Sequence, residues 1–253
     1  MHAPRTTADG PSGPRLTGRA AAAPGWVRLA AAVLLLDLLL LGAHVLHHLG
    51  AAVDPGGRWR LLRSSALWDG SHDGSLVELA GCLQLGAAAV VLLLLARRSP
   101  AHRVLAAWGV LFLVLAADDL LGLHERAGRL IGVSLLGLDD GPGRALTGSV
   151  AQEVGGLVFW TALGAALGAA LVLLHRTSAP AARRESWALL ATAAPLGVVA
   201  AGFVLITAVR PELLEGPGGA AVVLVRTTVK LLTMTALLVQ ALRLRAAPAS
   251  SCS

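Results

Sequence analysis

The stretch "RVLAAWGVLFLVLAADDLLGLHERAGRL", residues 103–130, opens on a basic residue, runs through an almost unbroken apolar segment, and closes on two adjacent aspartates, a histidine and a glutamate. An apolar run of about twenty residues is the length a helix needs to cross roughly 30 Å of hydrocarbon. A surface helix of a water-soluble domain would keep a polar face. Asp118 and Asp119 inside such a run are costly, and ionisable groups in this setting face the bundle interior and pair with one another. The stretch therefore predicts a membrane-crossing helix that carries part of a polar site.

The same pattern recurs along the chain. Spans are predicted at about 26–49, 75–96, 103–128, 152–175, 186–209 and 219–242. Between them stand strong breakers: Asp54-Pro55-Gly56-Gly57, Ser99-Pro100, Asp139-Asp140-Gly141-Pro142-Gly143, Ala179-Pro180, Arg210-Pro211 and Gly216-Pro217-Gly218. Hydrophobic residues make up 55% of the 253, charged residues only 14%, and the mean hydropathy is +0.70, outside the range of soluble domains. The fold class that follows is all-α: a polytopic membrane bundle over residues 26–245. A basic tail is expected at 1–25 and a short polar tail at 246–253. No repeat or second domain is apparent. Asp37 and a long apolar core argue that the first span is retained and not cleaved as a signal peptide.

The formal net charge is +6, and all but one of the 21 basic residues are Arg, scattered between apolar runs. Such a distribution sets topology and meets lipid head groups; membrane lipids, and no nucleic acid, are the expected partners. With the N-terminus inside, Arg5, Arg15, Arg19, Arg28, Arg97, Arg98, Arg103, Arg176, Arg183, Arg184, Arg243 and Arg245 face the cytoplasm, outnumbering those on the other side, so both termini are predicted cytoplasmic. Cys82 and Cys252 indicate neither a disulfide framework nor a thiolate metal site.

At about 1.5 Å per residue, the ionisable groups within spans fall at one depth. Asp37 lies near the midplane of the first span, with His44, His47 and His48 toward its outer end. Asp118 and Asp119 lie below the outer boundary, and His124 and Glu125 lie close to it. Glu78 and Glu153 occupy outer first turns, while Arg226 and Lys230 enter the last span from the same side. Their common depth implies a shared polar cavity in the outer half of the bilayer. Depth pairs Asp37 with Lys230 best. Helical phase puts Asp118 with Glu125, and turns His124 away from both aspartates.

His44 and His48, four apart, share a helix face and can hold one ion, with carboxylates from another helix adding oxygens. The alternative is a helix end meeting lipid head groups. An adjacent aspartate pair in low dielectric suits general acid or base chemistry, or else an internal ion pair that fixes helix register. Glu78 and Glu153 are equally explained as helix caps. Gly164 and Gly168 form a helix-contact motif, and Pro195 is expected to kink the fifth span.

The pattern Asp118-Asp119-x4-His124-Glu125 at a helix end resembles one found in bacterial multi-pass membrane proteins of unassigned activity, which implies a bacterial inner-membrane protein and no particular reaction. The site is similar only in design to the seven-helix intramembrane metal hydrolases that act on ceramides, and no residue is carried over from them.

Three functional readings follow. The first is an enzyme, a hydrolase or transferase acting on a lipid or lipid-linked substrate. In it Asp118, Asp119 and Glu125 are catalytic, and a divalent metal (Zn or Fe) sits on His44, His48, Asp118 and His124. Arg226, Lys230, Asp37, Glu78 and Glu153 bind substrate or balance charge. The second is a proton-coupled transporter or conductance. The third is a non-catalytic membrane component held together by structural ion pairs.

Overall fold

A computed structural model describes residues 24–53, 64–98, 102–135, 150–214 and 216–246. Both expected tails lie almost wholly outside the described residues, as do the Asp54-Pro55-Gly56-Gly57 and Asp139–Gly143 breakers. The elements in order are α1 (Gly25–Val53), a single turn α2 (Ser65–Trp68), α3 (Leu76–Ala96), α4 (Arg103–Leu121) and α5 (Leu123–Arg129), which runs into a π-helical turn (Leu130–Leu135). Then come α6 (Val150–Thr177), α7 (Pro180–Val209), a 3-10 turn (Pro211–Leu214) and α8 (Gly216–Ala246). Six of the described helices are long and apolar enough to cross a membrane, and no strand occurs among the described residues. The all-α, six-span reading therefore holds.

Local chemistry explains the helix ends. Ser75 caps α3, its hydroxyl accepting from the Glu78 N–H, while the Glu78 carboxylate reaches back to the Gly74 N–H at 2.7 Å. Ala179-Pro180 starts α7 with Pro at the first turn, where no N–H is needed. Pro195 is accommodated inside α7, which continues through it as one helix to Val209. Ser178 donates to Leu174 O and accepts from the Val104 N–H, satisfying an otherwise orphaned donor in the first turn of α4.

The third span is shorter than the hydropathy pattern suggests. Gly122 takes a left-handed conformation (φ 57°) and ends α4 at Leu121, so Leu123–Arg129 is a separate helix and not the continuation of one span to 128. A left-handed residue is a helix terminator that Gly adopts without a Cβ penalty, and the apolar flanks of Gly122 hid it.

The core packs α3, α4, α7 and α8 in the half of the bundle away from the polar groups. Leu85, Ala88, Leu92, Val104, Phe112, Leu189, Leu237 and Ala241 are all essentially sealed. Small residues let α3 and α4 approach: a Cβ on Gly109 would come within 3.0 Å of Ala89 O. Trp108 tilts against Phe112 and donates its indole N–H to Ser186 Oγ at 2.9 Å, satisfying the ring's one polar atom.

α5 meets α6 backbone to backbone. A Cβ on Gly128 would sit 2.6 Å from Gln152 O, and one on Gly155 would run into the Gly128 carbonyl. The expected helix-contact pair, Gly164 and Gly168, has nothing within 4 Å of a built Cβ, so the contact is made by the Gly128/Gly155 seam instead. The exposed apolar side chains of α1, α6 and α7, such as Leu35, Leu39, Leu157, Leu173 and Val198, form the outer surface that a spanning bundle turns to lipid.

Candidate functional site

The candidate residues named from depth come together in small groups, but in pairings that helical phase does not give, while Glu185 pairs with Arg243 apart from them. Four small constellations result.

The first joins α1 to the segment between α2 and α3. His44 is fully buried, and its Nδ1 lies 3.0 Å from Trp68 O and 3.2 Å from Gly70 N. Nδ1 cannot both donate to the Trp68 carbonyl and accept the Gly70 N–H. The tautomer that donates to Trp68 O leaves the lone pair on Nε2, the arrangement by which a backbone acceptor fixes a metal-ligating imidazole, while the other accepts from Gly70 and puts the proton on Nε2. The two rings of His44 and His48 pack edge to face, 4.6 Å apart, and His48 Nε2 lies 3.7 Å from Asp69 Oδ1. Neither Nε2 has a hydrogen-bond partner among the described residues although both are buried. Asp69 Oδ1 accepts from the Ser71 N–H at 2.9 Å and its hydroxyl at 2.7 Å. Burial alone would push this carboxyl up, but the two Ser71 donors and the neighbouring histidines bring it below the ordinary value. One donor atom from each of His44, His48 and Asp69 falls within 4.8 Å of the others, so the three could hold a metal ion.

Asp69 was not among the expected ligands. It belongs to a turn, Asp69-Gly70-Ser71, held by its own side chain and by the His72 N–H bonding to Asp69 O. Helical spacing finds His44 and His48 but cannot find a ligand on a turn. The Asp-Gly-Ser run was the available signal.

The second constellation centres on Lys230 of α8. Its Nζ lies 2.8 Å from Asp119 Oδ2 and 3.7 Å from Glu78 Oε1, and Cys82 Sγ points at the same Asp119 oxygen from 4.0 Å. Glu78 therefore acts as cap and ion-pair partner at once. Gly70, Val77, Glu78, Gly81, Thr227 and Lys230 line a small cleft here. A Cβ on Gly70 would run into the Thr227 side chain, so only glycine lets the Asp69 turn lie against α8. The ligand set and the Lys230 cluster are thus neighbours, with Gly70 common to both.

The third joins Asp118 to His124. Asp118 Oδ2 lies 2.8 Å from His124 Nδ1, and Oδ1 accepts from the His124 N–H at 2.7 Å. This overturns the expectation that His124 turns away from the aspartates and that Asp118 aligns with Glu125. The phase argument assumed one continuous helix; the break at Gly122 resets it and swings His124 onto Asp118. The hydrogen bond to Asp118 raises the His124 pKa above the ordinary value, against an opposing effect of burial. Glu125 folds back over Gly122, its Oε2 3.6 Å from where a Cβ there would stand.

The fourth lies deeper. Asp37, fully buried, accepts from Gln84 Nε2 at 2.6 Å and from the Thr235 hydroxyl, which also contacts Gln84 Oε1 at 2.9 Å. Asp37 makes no ion pair among the described residues, so its expected match with Lys230 is not realised. Lys230 sits nearer the end of the bundle and is engaged by Glu78 and Asp119. The side chain of Arg226 stacks over Phe203, 4.2 Å from the ring centroid. His47 packs its ring against His48. Glu153 lies in α6, and its side chain is outside the described ones.

Of the four expected metal ligands, His44 and His48 come together, while Asp118 and His124 bind each other. A family model described as a domain of unknown function (DUF8692) matches residues 26–244. No curated protein and no solved structure matches the chain.

Proposed function

The chain belongs to this family, whose description assigns no reaction, and from the chain's own residues we propose a metal-dependent hydrolase or transferase of the bacterial cell membrane, acting on a lipid or lipid-linked substrate in the outer half of the bilayer. The observation that carries this reading is His44: its buried Nε2 has no hydrogen-bond partner among the described residues, its Nδ1 lies against the Trp68 carbonyl, and it groups with a second imidazole and a carboxylate. Burying such an atom unsatisfied costs about 1–3 kcal/mol, which a bound cation would offset.

Two neutral imidazoles and one carboxylate are the three-ligand set of catalytic zinc and of non-haem iron(II), leaving positions open for water and substrate. Charge supports a divalent ion. Among the described residues Glu78 and Asp119 pair with Lys230 and Asp69 with His48, so a cation on the ligand set would meet carboxylates on both sides of Gly70. In this reading Asp119 and Glu78 flank the cleft as base and orienting group. Lys230, shared between them, holds both in place. Since its charge is already engaged, the anionic head-group contact passes to Arg226.

Metal analysis after purification without affinity-tag metals tests the proposal. About one Zn or Fe per chain is expected, lost in the His44→Ala variant. Chelation should lower thermal stability, and wild type in liposomes of bacterial polar lipids should release a product detectable by mass spectrometry. A protein free of stoichiometric metal, whose stability and lipid products ignore chelators, overturns it.

The transporter reading draws on one observation, the buried Asp37–Gln84–Thr235 group deeper in the bundle. Beyond it Leu85, Leu92, Leu237 and Ala241 form a sealed apolar core, which favours a one-sided site over a conductance. A pH-dependent flux in proteoliposomes, abolished by Asp118→Asn, would reverse that preference.

A further inference from the structure

A ribbon of polar groups leads outward from the ligand set. Gly70 touches His44 Nδ1 on one side and lines the Glu78/Lys230 cleft on the other. Lys230 bridges Glu78 to Asp119, and the next residue back along α4, Asp118, holds His124. The ribbon begins at a fully buried imidazole and ends at one with 41% of its side chain exposed.

Asp118 grips His124 at two atoms, backbone N–H and ring Nδ1. A helix cap needs only the first contact. The second selects the tautomer: with Nδ1–H donating to the carboxylate, the free lone pair is on Nε2, which has no hydrogen-bond partner among the described residues. Among the described side chains, the charged groups facing His124 are Asp118 and Asp119 from α4 and Glu125 from its own helix. On α6, a Cβ built on Gly156 would lie 3.7 Å from His124 O.

We infer that His124 is the proton shuttle of this site, exchanging protons between the cleft and the water at this end of the bundle, with Asp118 as its positioning residue. The inference rests on the metal reading above. A divalent ion makes its bound water acidic near neutral pH. A proton given up by that water would pass through solvent beside Glu78, Lys230 and Asp119 to His124 Nε2, and the imidazolium would release it to buffer. A shuttle needs a titrating side chain near solvent and held in one orientation; His124 is gripped at two atoms by a carboxylate, whereas His72, exposed beside the ligand turn, meets a backbone carbonyl.

The probe is Co2+ in the purified, detergent-solubilised full chain, since its visible band follows ionisation of the bound water without any substrate. After a small pH jump in weak buffer, the band of wild type should relax quickly. The His124→Ala and His124→Gln variants should slow it about tenfold or more, with added imidazole restoring the rate. Asp118→Asn should slow it and shift its pH dependence, while imidazole leaves wild type unchanged. Absence of a cobalt band sensitive to His44→Ala overturns the metal reading and the shuttle with it. A cobalt band whose relaxation is unaltered in both His124 variants overturns the shuttle alone.

Discussion

Replacing Lys230 with Met removes one cation from between two carboxylates. At separations of 2.8 Å and 3.7 Å, an effective dielectric of about 20 gives attractions of about 6 kcal/mol to Asp119 and about 4 kcal/mol to Glu78. Desolvation of three charges and repulsion between the carboxylates cancel most of this. Side-chain exposures of 22% for Lys230, 25% for Asp119 and 10% for Glu78 admit some solvent screening. Breaking a largely buried pair from one side costs about 3 kcal/mol, because the charges left behind lose their partner. At about 2–4 °C per kcal/mol, melting in detergent at physiological salt should fall by about 6–12 °C. The compensated variant Lys230→Met/Asp119→Asn/Glu78→Gln removes the stranded charge and keeps an acceptor for the Gly74 N–H, so it should return to within about 1 kcal/mol of wild type. Scanning fluorimetry and a denaturant series on the single and triple variants decide the matter. A Lys230→Met protein within about 0.5 kcal/mol of wild type, or a triple variant as unstable as the single, refutes the reasoning. A triple variant that folds and still turns over lipid favours the purely structural role for the cluster.

Gly155→Ala should weaken α5–α6 docking by about 2 kcal/mol, as the new methyl meets the Gly128 carbonyl, whereas Gly164→Ala, with open space around it, should be neutral or slightly stabilising; thermal melts of the two side by side test the assigned seam. Asp37→Leu should cost about 2–3 kcal/mol by stranding the Gln84 and Thr235 side chains, and Asp37→Asn less than half of that, which denaturant unfolding would register. Because the folded pKa of His124 lies above its unfolded value of 6.5, its contribution is complete below pH 6.5 and is lost as pH rises through the folded pKa. The half-exposed ring limits this to about 0.5 kcal/mol, and a stability-against-pH series should flatten there in Asp118→Asn. Asp69 behaves oppositely: its folded pKa is depressed, so its contribution is present above the ordinary carboxylate range and is lost as pH falls through the folded value, a loss that Asp69→Asn should abolish in an acid unfolding series.

Hydropathy alone made the six helices legible, since about twenty consecutive apolar residues leave a helix few alternatives. Depth made the site's end of the bundle legible, because each group's distance along its helix survives whatever the helix packs against. Pairing was less legible. Phase along an unbroken helix joined His44 to His48 correctly and separated His124 from Asp118 wrongly, the difference being one left-handed glycine that apolar neighbours concealed. Asp69 reaches the ligand set from a turn, where spacing carries no directional information. Asp37 was matched to the nearest formal charge, yet it is met by an amide and a hydroxyl, whose dipoles hydropathy does not register.

The sealed packing of Leu85, Leu92, Leu189, Leu237 and Ala241 has an electrical consequence. A transmembrane voltage drops mainly across whatever part of the thickness excludes water and ions, and each elementary charge crossing the full drop exchanges about 2.3 kcal/mol per 100 mV. With the polar cleft at one end and a tightly packed, mostly apolar layer behind it, most of that drop falls across the layer. Charges moving between Lys230, Asp119 and His124 traverse little of the field. Chemistry at this end should therefore respond to the acidity of the one compartment it faces and remain almost indifferent to the potential across the membrane.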